Sequence, residues 1–372
     1  MYGFIGLGAA GGNLVDEMAK KGYPSIAINF SSSDLDSLES VTDKLKLVGS
    51  EGVGKQRERA MALMQDNWES TIEFVKQKLS KPSVDVIFVC FSTAGGTGSG
   101  LAPICIELLK GSITNKTIVA VPILPDTKEF TANQMNTQEA LLQLSELDTC
   151  VLPLDNQSFI ANHDSNIPKN ELFQKINSEF SNLLTKIDQC TYKKSKFGIL
   201  DKRDAHQLFS TKGIMVISQT SLIDLNNLVL SVDNFTINIQ KSWKKTIFSP
   251  IQFEKIIRAG IIFEGDESML QFLRYEKLFD AFKNQPLELF EGYYTEGKGN
   301  VICILSGLNW IYNRVEEIDV IIEKHKSIEH EVKPRYTSKH IGKTEMINTI
   351  SKNVKQEKKF NAMDVLAKYN TR

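Results

Sequence analysis

Three glycine-rich segments of this 372-residue chain have the composition to meet phosphate. The first, Gly6-Leu7-Gly8-Ala9-Ala10-Gly11, is a GxGxxG lying between an apolar run and a helical pattern. Glycines there allow a tight turn and let backbone N–H groups and a helix dipole face an anion. A dinucleotide site of this kind also expects an acid at the end of the second strand to hold a ribose. Here that strand ends Ala27-Ile28-Asn29-Phe30-Ser31, which counts against an NAD-dependent Rossmann oxidoreductase. The second segment, Gly49-Ser50-Glu51-Gly52-Val53-Gly54-Lys55-Gln56, fits a Walker A loop up to its last position. A P-loop NTPase needs Ser or Thr there to ligate magnesium, and Gln56 cannot take that role in the same way. A glycine-rich turn before a helix is the plainer reading. The third segment, Ala94-Gly95-Gly96-Thr97-Gly98-Ser99-Gly100, holds no bulky side chain and offers two hydroxyls, Thr97 and Ser99. It follows the most strand-like stretch of the chain and precedes a helix, so its amides form a nest for phosphate rather than a slack hinge.

The elements that must position these loops are visible in the pattern. Val84–Phe91, VDVIFVCF, is a nearly continuous apolar run suited to a strand buried on both faces. Strands are also predicted at Tyr2–Leu7, Ser25–Phe30, Lys44–Val48, Thr117–Leu124 and Cys150–Leu154, and helices at Gln56–Leu79 and Asn133–Leu147. This alternation predicts an α/β fold with a Rossmann-like, doubly wound parallel sheet. Asn170–Asp188 places Leu172, Phe173, Ile176, Phe180, Leu183, Leu184 and Ile187 at helical spacing, as a central helix joining two halves. Strand-like runs at Gly213–Ser218, Ala259–Glu264 and Val301–Leu305, with helical stretches between them, predict a second, smaller α/β domain.

Composition excludes several classes. The chain is 41% hydrophobic and 24% charged, which is ordinary for a globular protein. Its formal net charge of −1 argues against polyanion binding by charge alone. Residues 331–372, however, carry ten Lys/Arg against four Asp/Glu, leaving 34 basic and 41 acidic residues elsewhere. That asymmetry describes a body with a basic tail, carrying an amphipathic helical pattern at Met346, Ile350, Val354, Met363 and Leu366. Five cysteines, an odd number with no CxxC, argue for a reducing cytoplasm rather than a disulfide framework. The apolar N-terminus lacks a basic residue before it and reads as a strand rather than a signal peptide. No run approaches the ~20 apolar residues of a membrane span.

The string Gly95–Gly100 followed by Leu101-Ala102-Pro103 resembles the signature loop of the tubulin/FtsZ superfamily, with Ala94 where a glycine is usual. The resemblance extends loop by loop. Gly6–Asn13 resembles the first nucleotide loop, with Gly8, Ala9, Ala10 and Asn13 as contacts. Asn29–Asp34 resembles the second loop, with Asn29, and Gly49–Gly54 the third, with Ser50 and Gly52. Glu129 stands where a ribose-binding Glu is expected, and Asn156 where a sixth-loop Asn is expected. Phe173 and Asn177 resemble the residues that stack on guanine and bond to its edge. Ile199-Leu200-Asp201-Lys202-Arg203-Asp204 resembles the catalytic synergy loop, with Asp201 and Asp204 retained and Ile199 replacing an Asn. In that family these carboxylates act on the neighbouring subunit's GTP. Read without the resemblance, they cap the helix that follows.

The resemblance covers roughly residues 1–310 and implies a GTP-binding domain at 1–168 and a central helix with synergy loop at 169–204. A second α/β domain follows at 205–330 and a basic C-terminal helical tail at 331–372. It further implies a self-assembling GTPase that takes GTP/GDP with Mg2+ and hydrolyses GTP in a head-to-tail filament. A cell-division FtsZ-like ring protein is the near alternative. The basic tail replaces the acidic anchor of that branch and points to the TubZ-type plasmid and phage segregation tubulins. In that group the tail engages a DNA-bound adaptor; no membrane partner is implied.

Overall fold

The computed structural model describes residues 2–163, 167–221, 231–295, 299–332 and 362–370. The chain opens with strand β1 (Tyr2–Leu7), helix α1 (Gly8–Lys20), β2 (Ser25–Asn29), α2 (Ser32–Asp36) and β3 (Asp43–Lys46). Then follow α3 (Arg57–Leu79), β4 (Val86–Ser92), α4 (Thr97–Ser112), β5 (Thr117–Leu124) and α5 (Thr131–Ser145). Pro153, which has no N–H to give a ladder, separates β6 (Cys150–Val151) from β7 (Leu154–Asp155), where one run was predicted. Helix α6 (Asn156–Asn162) leads to the central helix α7 (Lys169–Cys190).

The second half holds α8 (Lys202–Ser210), β8 (Gly213–Ser221), α9 (Val232–Ser242), β9 (Arg258–Glu264), α10 (Tyr275–Phe279), β10 (Glu288–Tyr294), β11 (Asn300–Leu308) and α11 (Tyr312–Val332). Helix α12 (Ala362–Asn370) closes the described chain. The predicted tail positions Met346, Ile350 and Val354 lie outside the described residues, and Met363 and Leu366 fall on α12.

Among the described residues the strands form one eleven-stranded sheet in the order β10-β9-β11-β8-β6-β5-β4-β1-β2-β3, with β7 pairing β5 off this path. The run from β3 to β8 is parallel. β11 inserts antiparallel between β8 and β9, an inversion that hydropathy does not reveal. β4 is buried along six of its seven residues, as expected of a strand covered on both faces. Phe4, Phe88, Tyr2 and Phe209 interlock around it, with Phe4 stacked on Phe88 at 5.1 Å between ring centroids. A second aromatic cluster, Trp243 with Phe253, Phe279 and Phe282, fills the smaller half. All five cysteines are free and buried, and burial pushes the Cys105 and Cys303 thiols up to about 12. No helix among the described residues is long and apolar enough to cross a membrane.

This topology fixes where a ligand can enter. From β1 the chain winds outward through β2 and β3, and from β4 it winds the other way through β5. β1 and β4 are adjacent, so the loops leaving their carboxyl ends part and open a crevice between them, the preferred ligand position of such sheets. Close packing there depends on Gly11, whose absent Cβ would stand 2.2 Å from the Cys90 carbonyl oxygen.

Candidate functional site

The crevice is a cleft with two halves that share Ala10, Lys55, Ser92 and Gly95. The first half, about 350 Å3, is built from the loops after β1, β3 and β4. Of the expected contacts, Gly8, Ala9, Ala10, Asn29 and Gly52 line it, with Gly95, Gly96, Thr97 and Gly98 on the facing loop. The loops touch: a Cβ on Gly98 would lie 2.9 Å from the Leu7 carbonyl oxygen, and one on Gly96 would lie 2.9 Å from the Gln56 nitrogen. Gly95 differs, because the position of its missing Cβ has nothing within 4 Å. The protein itself does not require that bare backbone; a group lying against it would.

Electrostatics give this half its character. Helices α1, α3 and α4 all begin beside it, and no N-cap side chain closes any of the three. Neither α1 nor α4 has an acid in its first turn. Their orphan N–H groups and positive dipole ends make an anion site. Contrast α2, where the Ser31 hydroxyl accepts from the Asp34 N–H and Asp34 lies in the first turn. Lys55, which follows Gly52-Val53-Gly54, adopts φ 65°, a strained conformation for a lysine. Behind the loops, the Asn136 amide donates to the carbonyls of Lys55, Ala94 and Gly95 at 3.0, 3.2 and 3.3 Å. One side chain of α5 thus holds two glycine-rich loops in register.

The second half, about 280 Å3, is more apolar and lies between α1, α5, α6 and α7. Asn13, Ala94, Glu129, Asn156, Phe173 and Asn177 line it. Phe173 sits on α7 with 39% of its surface exposed, one turn before Asn177, while Leu172 and Ile176 on the next face of α7 are buried. Asn156 is buried, and its Oδ1 has no hydrogen-bond partner; the same is true of Asn133 Oδ1. Two buried carbonyl oxygens with nothing to accept cost stability unless a ligand supplies donors. Glu129 accepts from the Asn133 amide and lies 3.9 Å from the Lys169 ammonium, so its carboxylate is held at the rim.

A buried ion pair braces this half from outside. Arg314 of α11 donates to Asp155 at 3.1 Å and to the Pro125 carbonyl at 2.6 Å. Pro125 lines the cleft, and Asp155 caps α6 next to Asn156. Burial raises the Asp155 carboxyl, and the Arg314 charge pulls it back down.

Two expected contacts lie behind the surface. The Ser99 hydroxyl is buried and turns back to the Gly95 and Gly96 carbonyls of its own loop. The Ser50 hydroxyl donates to the Gly52 carbonyl at 2.5 Å and does not line the cleft. Ser92 and Asn133 line it without having been singled out, and Lys55, which only the P-loop reading made essential, lines it too. Only Lys55 carried a sequence signal, the GK of the second glycine segment.

Asp201 and Asp204 are elsewhere. They form a capping box on α8: Asp201 Oδ1 accepts from the Arg203 and Asp204 N–H groups at 2.7 and 3.0 Å, and Asp204 Oδ2 accepts from the Asp201 N–H at 3.0 Å. Each cap uses one oxygen of its carboxylate. His206 of the same helix hydrogen-bonds Thr117 at 2.9 Å, at the amino end of β5, whereas the cleft includes Ile123 near its carboxyl end. Tyr23, just before β2, likewise bonds Asp188 near the end of α7 at 3.0 Å. An eight-residue strand spans roughly 25 Å, and α7 runs ~33 Å from the cleft to that far side. The carboxylates and the cleft therefore occupy opposite ends of the same sheet.

Residues 3–164 match the family model described as Tubulin/FtsZ family, GTPase domain. The chain is 26% identical to the tubulin-like protein TubZ of Clostridium botulinum C phage, over 88% of this chain and 85% of the relative. It is 24% identical to the tubulin-like protein CetZ of Pyrococcus furiosus, over 86% and 88%. Its fold superposes on the GTPγS-form protofilament of Bacillus thuringiensis TubZ with a TM-score of 0.76 at 17% identity, covering 89% of this chain and 94% of that one. The crevice at the β1/β4 switch point and its uncapped helix ends lie within the matched residues: residues 3–164 match the GTPase domain of the tubulin/FtsZ family.

Proposed function

We propose that the chain binds GTP in this cleft, assembles head to tail, and hydrolyses GTP only where two subunits meet. The observation that carries the reading is the separation of parts. Asp201 and Asp204 stand at one end of the sheet and the cleft at the other, so the carboxylates serve a neighbour's nucleotide or none. A heterologous contact of this kind does not close and makes a fibre. Both ends also carry exposed apolar side chains, Phe130 and Met135 near the cleft and Tyr192, Phe197 and Ile199 near Asp201. The neighbouring structure is itself a protofilament.

In this reading the loops of Gly8–Ala10 and Ala94–Gly98 cradle the phosphates through backbone N–H groups. Phe173 stacks on guanine and Asn177 bonds its edge. Glu129, Asn133 and Asn156 face the sugar and base, meeting the unpaired oxygens of the two asparagines. Mg2+, which neutralises charge on the transferred phosphoryl group, usually keeps waters and few protein ligands. Asp34 and Glu51, the carboxylates lining the phosphate half, would hold such a hydrated ion. Asp201 and Asp204 of the next subunit orient the attacking water and accept its proton, an effect of about 10²–10⁴ in rate.

The finer assignment, movement of plasmid or phage DNA through an adaptor on the basic tail, is supported by the tail's charge and by the phage TubZ relative. The test is sedimentation with GTP, GDP or NAD, read alongside phosphate release. Pelleting with GTP alone, with phosphate release that follows it, is the expected result. Absence of GTP binding and of a pellet would overturn the reading. Removing residues 331–372 should leave pelleting intact and abolish capture of the tail's partner.

A further inference from the structure

Helix α12 lies against the GTPase domain, on α3 and α4. Leu366 is buried there with 5% of its surface exposed, and Ala362, four residues earlier on the same face, packs against the same core. Lys368 reaches Glu107 of α4 at 3.2 Å and Glu146, just past α5, at 3.9 Å. Met363, Asp364 and Ala367 face outward. A nine-residue helix is marginal in water by itself, so its helical form depends on the surface that buries Leu366. The acceptor surface is correspondingly specific: an apolar seat flanked by two carboxylates.

We propose that α12 is a docking peptide held in cis on the α3/α4 face, and that a tail partner must present the same surface, an apolar groove rimmed by carboxylates, to take it away. One face of α12 cannot serve both, so seating and partner binding exclude each other. The 29 residues 333–361 could span up to ~95 Å, ample reach for α12 to sit on its own body or on a second copy. The structure seats it on its own. The tail partner rests on the function proposed above, whereas the cis seating needs neither GTP nor filament formation.

A zero-length carbodiimide coupling of the full chain tests it, because the reagent joins an ammonium to a carboxylate only in direct contact. An equal mixture of 14N- and 15N-grown protein separates intrachain from interchain products by mass. The expected result is a Lys368–Glu107 or Lys368–Glu146 peptide whose two halves carry the same isotope. Full-length Leu366→Asp should lower its yield about tenfold or more, from loss of the buried side chain. Full-length Glu107→Lys with Lys368→Glu should restore coupling with the roles reversed. No coupled peptide, or same- and mixed-isotope products in equal amounts, would overturn cis docking. Unchanged yield in Leu366→Asp would show that Leu366 does not seat the helix, and would overturn the proposal as well.

Discussion

Asn156 has a side-chain oxygen buried in the wall of the cleft with no donor to meet it. Removing an unmet acceptor costs little, whereas removing a ligand's partner costs a hydrogen bond. Asn156→Ala should therefore leave the nucleotide-free melting temperature unchanged or slightly raised, while GTP affinity in a titration falls about tenfold. Asp204 carries a different signal. Partial burial lifts its carboxyl above the ordinary range and the nearby Asp201 charge lifts it further, while the Asp201 N–H bond pulls it down. A raised folded value favours the protonated form. Its contribution to stability is present below the ordinary aspartate value near 3.9 and is lost as pH rises through the folded value. Stability should thus decline slightly across that window, and hydrolysis should rise in the same window as the carboxylate forms. Asp204→Asn should flatten the stability slope and abolish hydrolysis, measured by unfolding and phosphate release against pH. At this scale the sequence was half legible. Glycines at strand ends declared the loops that line the cleft, but residue type cannot show that the Ser99 hydroxyl turns back to its own loop, or that Lys55 holds a strained turn in the cleft.

Elements couple these residues through contacts that hydropathy does not encode. The Arg314–Asp155 pair ties α11 to α6 and to Pro125, more than a hundred residues away in sequence. Arg314→Met should cost about 3–5 kcal/mol in denaturant unfolding, because it strands a buried carboxylate. Adding Asp155→Asn should return most of that loss, since both charges are then gone. Asn136 has the same logic for the loops: Asn136→Ala frees three carbonyls and should weaken GTP binding without touching nucleotide. Strands buried on both faces, such as β4 and β5, were readable as apolar runs. β10 was not, because ELFEGYY sits at the sheet edge, pairs only β9 among the described residues, and carries charge at exposed Glu288 and half-exposed Glu291. The antiparallel insertion of β11 was equally silent, since a strand's direction leaves no mark on its hydropathy.

Across the whole molecule, the sheet sets its two working ends roughly 25 Å apart, with α7 as the rod between them. Neither end can reach the other within one chain, so the proposed hydrolysis makes assembly part of the chemistry rather than a consequence of it. Phosphate release per chain should then rise with protein concentration and track the pelleted fraction, not the total. The most direct measurement mixes two inactive full-length chains. One is Asp201→Ala, whose cleft is intact. The other is Phe173→Ala with Asn177→Asp, whose cleft is spoiled but whose Asp201 end is intact. Each alone should release little phosphate from GTP. Mixed, they should recover hydrolysis well above the sum, because the second chain's carboxylates complete the first chain's site. A mixture no more active than its parts, or an Asp201→Ala chain that hydrolyses GTP normally, would contradict catalysis between subunits.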